Sequence, residues 1–293
     1  MSGELKLRII SGIILAAVVL LITWAGGASF NLLAVAIGLL IFHEWMAMSR
    51  ARAGASGGES GLLSTPVLAG WAVMIAVGIL TMLALYWVGL VFAVIACFGC
   101  VLLSRSVATP YWFAGSVIYA AGSMVALAAL RNSGGAGAFA IVYLFAVVWT
   151  TDIMAYFVGR TLKGPKLAPA ISPGKTWSGA AGGTLFALVA AFVLCLAWGG
   201  RPSLAIAALT IFLSVCSQAG DLFESALKRR CGVKDSSHLI PGHGGVMDRV
   251  DGLVAAAFAM YVVMLLVGMT GSAFAPGDIL MDWAGLLHAS NGA

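Results

Sequence analysis

Residues 204–223 read LAIAALTIFLSVCSQAGDLF, residues 224–252 read ESALKRRCGVKDSSHLIPGHGGVMDRVDG, and residues 253–269 read LVAAAFAMYVVMLLVGM. Two apolar runs of roughly membrane-spanning length enclose a loop dense in charge. Between 218 and 252 stand Asp221, Glu224, Lys228, Arg229, Arg230, Lys234, Asp235, Asp248, Arg249 and Asp251. Those ten come from a whole-chain stock of only 16 Lys and Arg and 11 Asp and Glu. Carboxylates suit hard divalent cations. Lysine and arginine suit phosphates. Gly242, Gly244 and Gly245 allow a backbone to come close to a ligand. Together they describe a site for a metal–phosphate compound at a membrane surface.

Composition supports the setting. Of 293 residues, 61% are hydrophobic and 9% charged, with a mean hydropathy of +1.04. A soluble domain carries about 25% charged residues. The expected fold is therefore all-α, a polytopic membrane helix bundle forming a single domain over 1–293. The basic residues form no aromatic-interleaved surface and are confined to loops between apolar runs, so nucleic acid is not an expected partner. Cys97, Cys100, Cys195 and Cys216 lie in apolar stretches and read as small hydrophobes. Cys97 and Cys100 make a CxxC without a second ligand pair, which argues against zinc.

Nine apolar runs qualify as spans: near Leu7–Trp24, Phe30–Trp45, Leu68–Tyr86, Val88–Leu103, Trp112–Leu130, Ala138–Val158, Ala180–Trp198, Leu204–Phe223 and Leu253–Met269. The third and fourth are joined so tightly that eight is the alternative. With a cytoplasmic N-terminus, fourteen Lys and Arg fall inside against Arg131 and Arg201 outside, a strong positive-inside bias. The C-terminal tail, with Asp278 and Asp282, then lies outside. Lys6 and Arg8 before the first run give it the outline of a cleaved leader, but the start at Met1 favours an uncleaved helix. Residues 1–135 read as scaffold helices and 145–255 as the catalytic half.

Several motifs compete with plainer readings. His43-Glu44 opens like a zinc-protease HExxH, but Ala47 holds the second histidine position, leaving a polar pair at the inner interface. Gly174-Lys175-Thr176 resembles the end of a P-loop, but Pro169 stands where the upstream glycine belongs and no strand is expected before it. Ser172, Lys175 and Thr176 then either contact a phosphate near a helix start or form an ordinary basic loop. Asp152, within the sixth run, either faces a cavity or pairs with Arg160 at the interface. Asp221, Ser225 and Lys228 share one helix face. Asp248 and Asp251 open the ninth span, where one acid complements the helix dipole. Acids from two consecutive helices around a basic, glycine-rich loop favour metal coordination by Asp221, Asp248 and Asp251. His243 is a weaker candidate as a phosphate donor.

At these residues the chain closely resembles the phosphatidate cytidylyltransferase family. The family signature stands here as Ser225-Ala-Leu-Lys228-Arg229, then Lys234-Asp235, then His243-Gly244-Gly245-Val-Met-Asp248-Arg249-Val-Asp251. Asp152, Ser172-Pro173 and Lys175-Thr176-Trp177 also look like family features. Ser178 departs from the pattern, where a longer polar side chain is expected. The resemblance implies transfer of a cytidylyl group from CTP to phosphatidic acid, with Mg²⁺ held at Asp221 and Asp248, a second, monovalent cation, and a homodimer in membrane lipid. It places Lys228 and Arg229 among the catalytic groups. Ser172, Lys175, Thr176, Ser225, Lys234, Asp235, His243, Gly244, Gly245, Arg249 and Asp152 become substrate-binding candidates. The chemistry is consistent: a lipid phosphate is already ionised at neutral pH, so the site needs cations and metal ligands rather than a base–nucleophile pair.

Overall fold

The computed structural model describes residues 3–54, 65–103, 110–240, 244–269 and 276–286. His243 and Arg105 lie outside the described residues. The described chain is almost wholly helical. Its helices are α1 (Gly3–Ala25), α2 (Gly27–Gly54), α3 (Thr65–Met82), α4 (Tyr86–Leu103), α5 (Pro110–Arg131), α6 (Gly137–Leu162), α7 (Trp177–Ala197), α8 (Leu204–Cys231), α9 (Met247–Met269) and α10 (Pro276–Trp283). Six segments among the described residues are long and apolar enough to cross a membrane, and the apolar stretches Ser11–Ala25, Val67–Met82 and Tyr86–Gly99 are shorter. Helices suit this environment because each satisfies its backbone hydrogen bonds internally. Exposed Leu185, Val189, Val193 and Leu196 form one face of α7. An apolar face of this kind is at home in lipid rather than water.

The chain parts into two compact units, Met1–Ala129 with Leu227–Val250, and Leu130–Ala226 with Asp251–Ala293. In the first, α2 packs on α3 and α3 on α4. Phe42 is fully buried, with its ring edge-on to Trp71 at 5.1 Å and to Phe113 at 6.4 Å. Gly70 permits this contact: a Cβ there would lie 2.7 Å from both Phe42 and Phe113.

In the second unit, α6 and α7 form the most extensive helix pair. Small residues at 151, 155 and 159 face Gly179 and Gly183. A Cβ on Gly183 would sit 2.6 Å from the Thr151 carbonyl oxygen, and one on Gly179 would sit 2.6 Å from that of Ala155. This is the small-residue contact that lets membrane helices touch along their backbones. Hydroxyls tie α8 to the pair: Tyr143 to Thr210 at 2.8 Å, and Ser214 to both Thr151 and Thr184 at 2.9 Å.

Two features are absent from the hydropathy reading. A short antiparallel hairpin, β1 (Lys166–Ala168) with β2 (Ser172–Thr176), joins α6 to α7. The tail includes α10, whose Ile279 and Leu280 are buried. The chain after α10 folds back, with Arg201 N–H donating to the Ala284 carbonyl at 2.7 Å.

Candidate functional site

The polar candidates gather in two clusters, one in each unit. The cluster of the second unit begins at the hairpin. Thr176 at the end of β2 caps α7, its hydroxyl accepting from Gly179 N–H at 3.1 Å. Lys175, one residue earlier, donates to Asp221 of α8. Ser225 follows one turn later, 3.5 Å from the same carboxylate. Asp152 of α6 and Asp251 of α9 are electrostatic neighbours of both Asp221 and Lys175. Arg160 does not reach Asp152; it donates to the Tyr156 hydroxyl and lies over that ring. Ser178 donates to the Lys163 carbonyl, so it serves the turn after α6.

Two glycines bring Asp221 and Asp251 near each other. A Cβ on Gly220 would fall 2.8 Å from the Asp251 carbonyl oxygen, and one on Gly252 would fall 2.7 Å from Ser217 Oγ. Only bare backbone permits α8 and α9 to approach there. Three carboxylates thus share one ammonium, an excess of negative charge that suits a cation. Among the described residues no three His, Cys, Asp or Glu side chains gather tightly enough to hold a metal ion. The donors are nonetheless the hard oxygens that Mg²⁺ prefers, and the Lys175 ammonium already stands at Asp221 as a cation would.

The cluster of the first unit is tighter. Lys228 of α8 pairs with Asp248 at 2.6 Å, in the first turn of α9. The other Asp248 oxygen accepts from Ser236 N–H at 2.9 Å, Ser236 Oγ at 2.9 Å and Gly245 N–H at 2.8 Å. The bond to Gly245, three residues back, ties the first turn of α9 to the glycine pair before it. Gly244 adopts φ +82°, and its carbonyl accepts from Ile240 N–H at 2.8 Å. A Cβ on Gly244 would meet Asp248 at 2.9 Å, and one on Gly245 would meet Ser236 Oγ at 2.0 Å and Glu44 at 2.6 Å. The space beside both glycines is therefore occupied by the protein's own carboxylates. Arg229, Lys234, Asp235 and Arg249 are exposed around this cluster, while Ser172 is half-buried in the hairpin.

Glu44 is the residue that sequence reasoning missed. It is fully buried, with both carboxylate oxygens engaged by the protein. The one available signal was an acid near the end of an apolar run.

A helical membrane protein with two lysine–carboxylate pairs, one in each unit, is of the class that handles charged, phosphate-bearing compounds at a bilayer. The pattern of the cytidylyltransferase family matches residues 6–267, and the chain belongs to that family. It is 43% identical over 283 residues to a phosphatidate cytidylyltransferase of Brucella abortus (strain 2308), covering 95% of this chain and 97% of that one. It is 35% identical over 271 residues to a phosphatidate cytidylyltransferase of Bacillus subtilis (strain 168), covering 90% and 98%. A Haemophilus influenzae protein of the same name is 48% identical over 125 residues, 41% of this chain.

Proposed function

We propose that this chain transfers the cytidylyl group of CTP to phosphatidic acid, giving CDP-diacylglycerol and pyrophosphate in phospholipid biosynthesis. The observation that carries the reading is likeness over nearly the full length to proteins named for this activity. In the reaction, an oxygen of the lipid phosphate forms a bond to the α-phosphorus of CTP. The bond from that phosphorus to the bridging oxygen breaks, and its electron pair leaves with pyrophosphate.

The nucleophile is already ionised, so the protein's task is to bring two polyanions together and hold them in line. In this reading Lys175 and Lys228, each within its own unit, supply positive charge for phosphate, and Arg229, Lys234 and Arg249 are exposed to water. Ser172, Thr176, Ser225, Asp235, His243 and the Gly244-Gly245 turn belong to the substrate-binding set in this reading, with Asp152 beside them. In this reading Asp221, Asp248 and Asp251 are the residues that would hold Mg²⁺, and the ion would supply charge neutralisation at the triphosphate. A monovalent cation is the second ion of the same reading.

The reading also includes nine spans in the inner membrane, a cytoplasmic N-terminus and active site, and a homodimer. Residues 1–135 act as scaffold and 145–255 as the catalytic half. The fourteen-to-two distribution of basic residues supports the orientation.

The test uses purified protein with CTP labelled at the α or the γ phosphate. The α label is expected in the lipid and the γ label in pyrophosphate, with release only when phosphatidic acid is present. Label from the γ position in the lipid would instead make the protein a lipid kinase.

A further inference from the structure

Glu44 lies on α2, in the stretch read as scaffold, and the reaction above gives it no part. Its side chain is fully buried, and it collects four hydrogen bonds. Oε1 accepts from Ser237 Oγ at 2.6 Å and Val246 N–H at 2.8 Å. Oε2 accepts from Ser236 Oγ at 2.9 Å and Met247 N–H at 2.7 Å. A buried carboxylate is costly unless its lone pairs are used, and here both oxygens are doubly engaged.

The donors come from both ends of the segment between α8 and α9. Val246 and Met247 carry N–H groups at the start of α9, which has no partners for them within the helix. Glu44 thus caps α9 from another helix. The same segment holds Asp248: Ser236 Oγ lies 2.9 Å from Glu44 and 2.9 Å from Asp248. A single hydroxyl, carrying one proton, therefore bridges the two carboxylates. Gly245 donates to Asp248 at 2.8 Å, while the place of its missing Cβ is closed by Glu44. Asp248 in turn holds Lys228. The chain of contacts is continuous from Glu44 to the cation.

We propose that Glu44 is a positioning residue for the transfer reaction: from α2 it fixes both ends of the 236–247 segment, and so orients the Asp248 carboxylate and the Lys228 ammonium. The proposal rests on the cytidylyl-transfer reading. A clamp that only filled space would not need a carboxylate. Glutamine offers one oxygen and an amide that donates, so it cannot satisfy four donors.

The experiment compares the unaltered chain with Glu44→Gln, Glu44→Asp, Ser236→Ala and the Glu44→Gln/Ser236→Ala double variant in detergent. It reads Tm, kcat, and KM for CTP and phosphatidic acid by pyrophosphate release. Glu44→Gln is expected to lower kcat by about 10–100-fold, the usual effect of removing a supporting partner behind a functional carboxylate. KM for both substrates should stay unchanged. Glu44→Asp should recover part of the loss. The double variant should be no slower than the slower single variant, because both act through one connection. A folded Glu44→Gln protein with full kcat overturns the role, as does a loss that adds fully to that of Ser236→Ala and follows the fall in Tm. Should Glu44→Gln not fold, Ser237→Ala carries the test: lowered kcat at unchanged Tm supports the role and unchanged kcat overturns it. A silent unaltered protein overturns the reaction and this role together, whereas an active one whose Glu44→Gln form is equally active overturns this role alone.

Discussion

Lys228 of α8 and Asp248 of α9 meet at 2.6 Å, with the Lys228 side chain 15% exposed and that of Asp248 only 6%. Lys228→Met removes the ammonium from a carboxylate that is itself buried. Breaking a buried pair on one side destabilises by about 3–5 kcal/mol. Thermal unfolding in detergent is expected to show a clear drop in Tm together with loss of turnover. An unchanged Tm would mean that Asp248 is solvated after the lysine is removed.

The second lysine–carboxylate pair has the opposite balance. Lys175 and Asp221 are 27% and 31% exposed, and ion pairs open to solvent contribute about 1 kcal/mol or less. Asp221→Asn should therefore keep Tm close to that of the unaltered protein while abolishing turnover. Measuring both across a Mg²⁺ series separates the roles. Undiminished activity with the same Mg²⁺ dependence would remove Asp221 from the metal ligands.

Glycines 245 and 99 offer a matched comparison. At Gly245 a Cβ would lie 2.0 Å from Ser236 Oγ, whereas at Gly99 nothing lies within 4 Å. Gly245→Ala is expected to destabilise by about 1–3 kcal/mol through overpacking and to lower turnover. Gly99→Ala should stay within about 0.5 kcal/mol and keep full activity. Equal Tm values for the two variants would contradict the observed crowding.

Single-cysteine labelling in intact cells checks the orientation. A cysteine at position 235 should be protected from an impermeant reagent, and one at position 285 should react from outside. The reverse pattern would invert the proposed topology.

The long apolar helices were legible because hydropathy is a local sum: any run such as 253–269 declares itself without knowledge of its neighbours, though six rather than nine reach spanning length among the described residues. The signature from Ser225 to Asp251 was legible for a related reason, since its spacing is short and lies in one stretch. The hairpin at 166–176 was not. Its register, Lys166 with Thr176 and Ala168 with Ser172, rests on backbone hydrogen bonds that leave no alternating apolar pattern. Glu44 was illegible because its partners lie 192 to 203 residues away.

The sequence by itself determined a helical membrane protein, its family, and an inventory of acids, lysines and glycines concentrated between 218 and 252. Tertiary structure alone decided the pairing: Lys175 with Asp221, Lys228 with Asp248, and Glu44 with the segment before α9. It also decided that Gly244 and Gly245 make room for carboxylates of the protein. The physical reason is range. Hydrophobicity accumulates along a few consecutive residues. A hydrogen bond or ion pair exists only within about 3 Å, a distance set by how helices pack and not by their order in the chain.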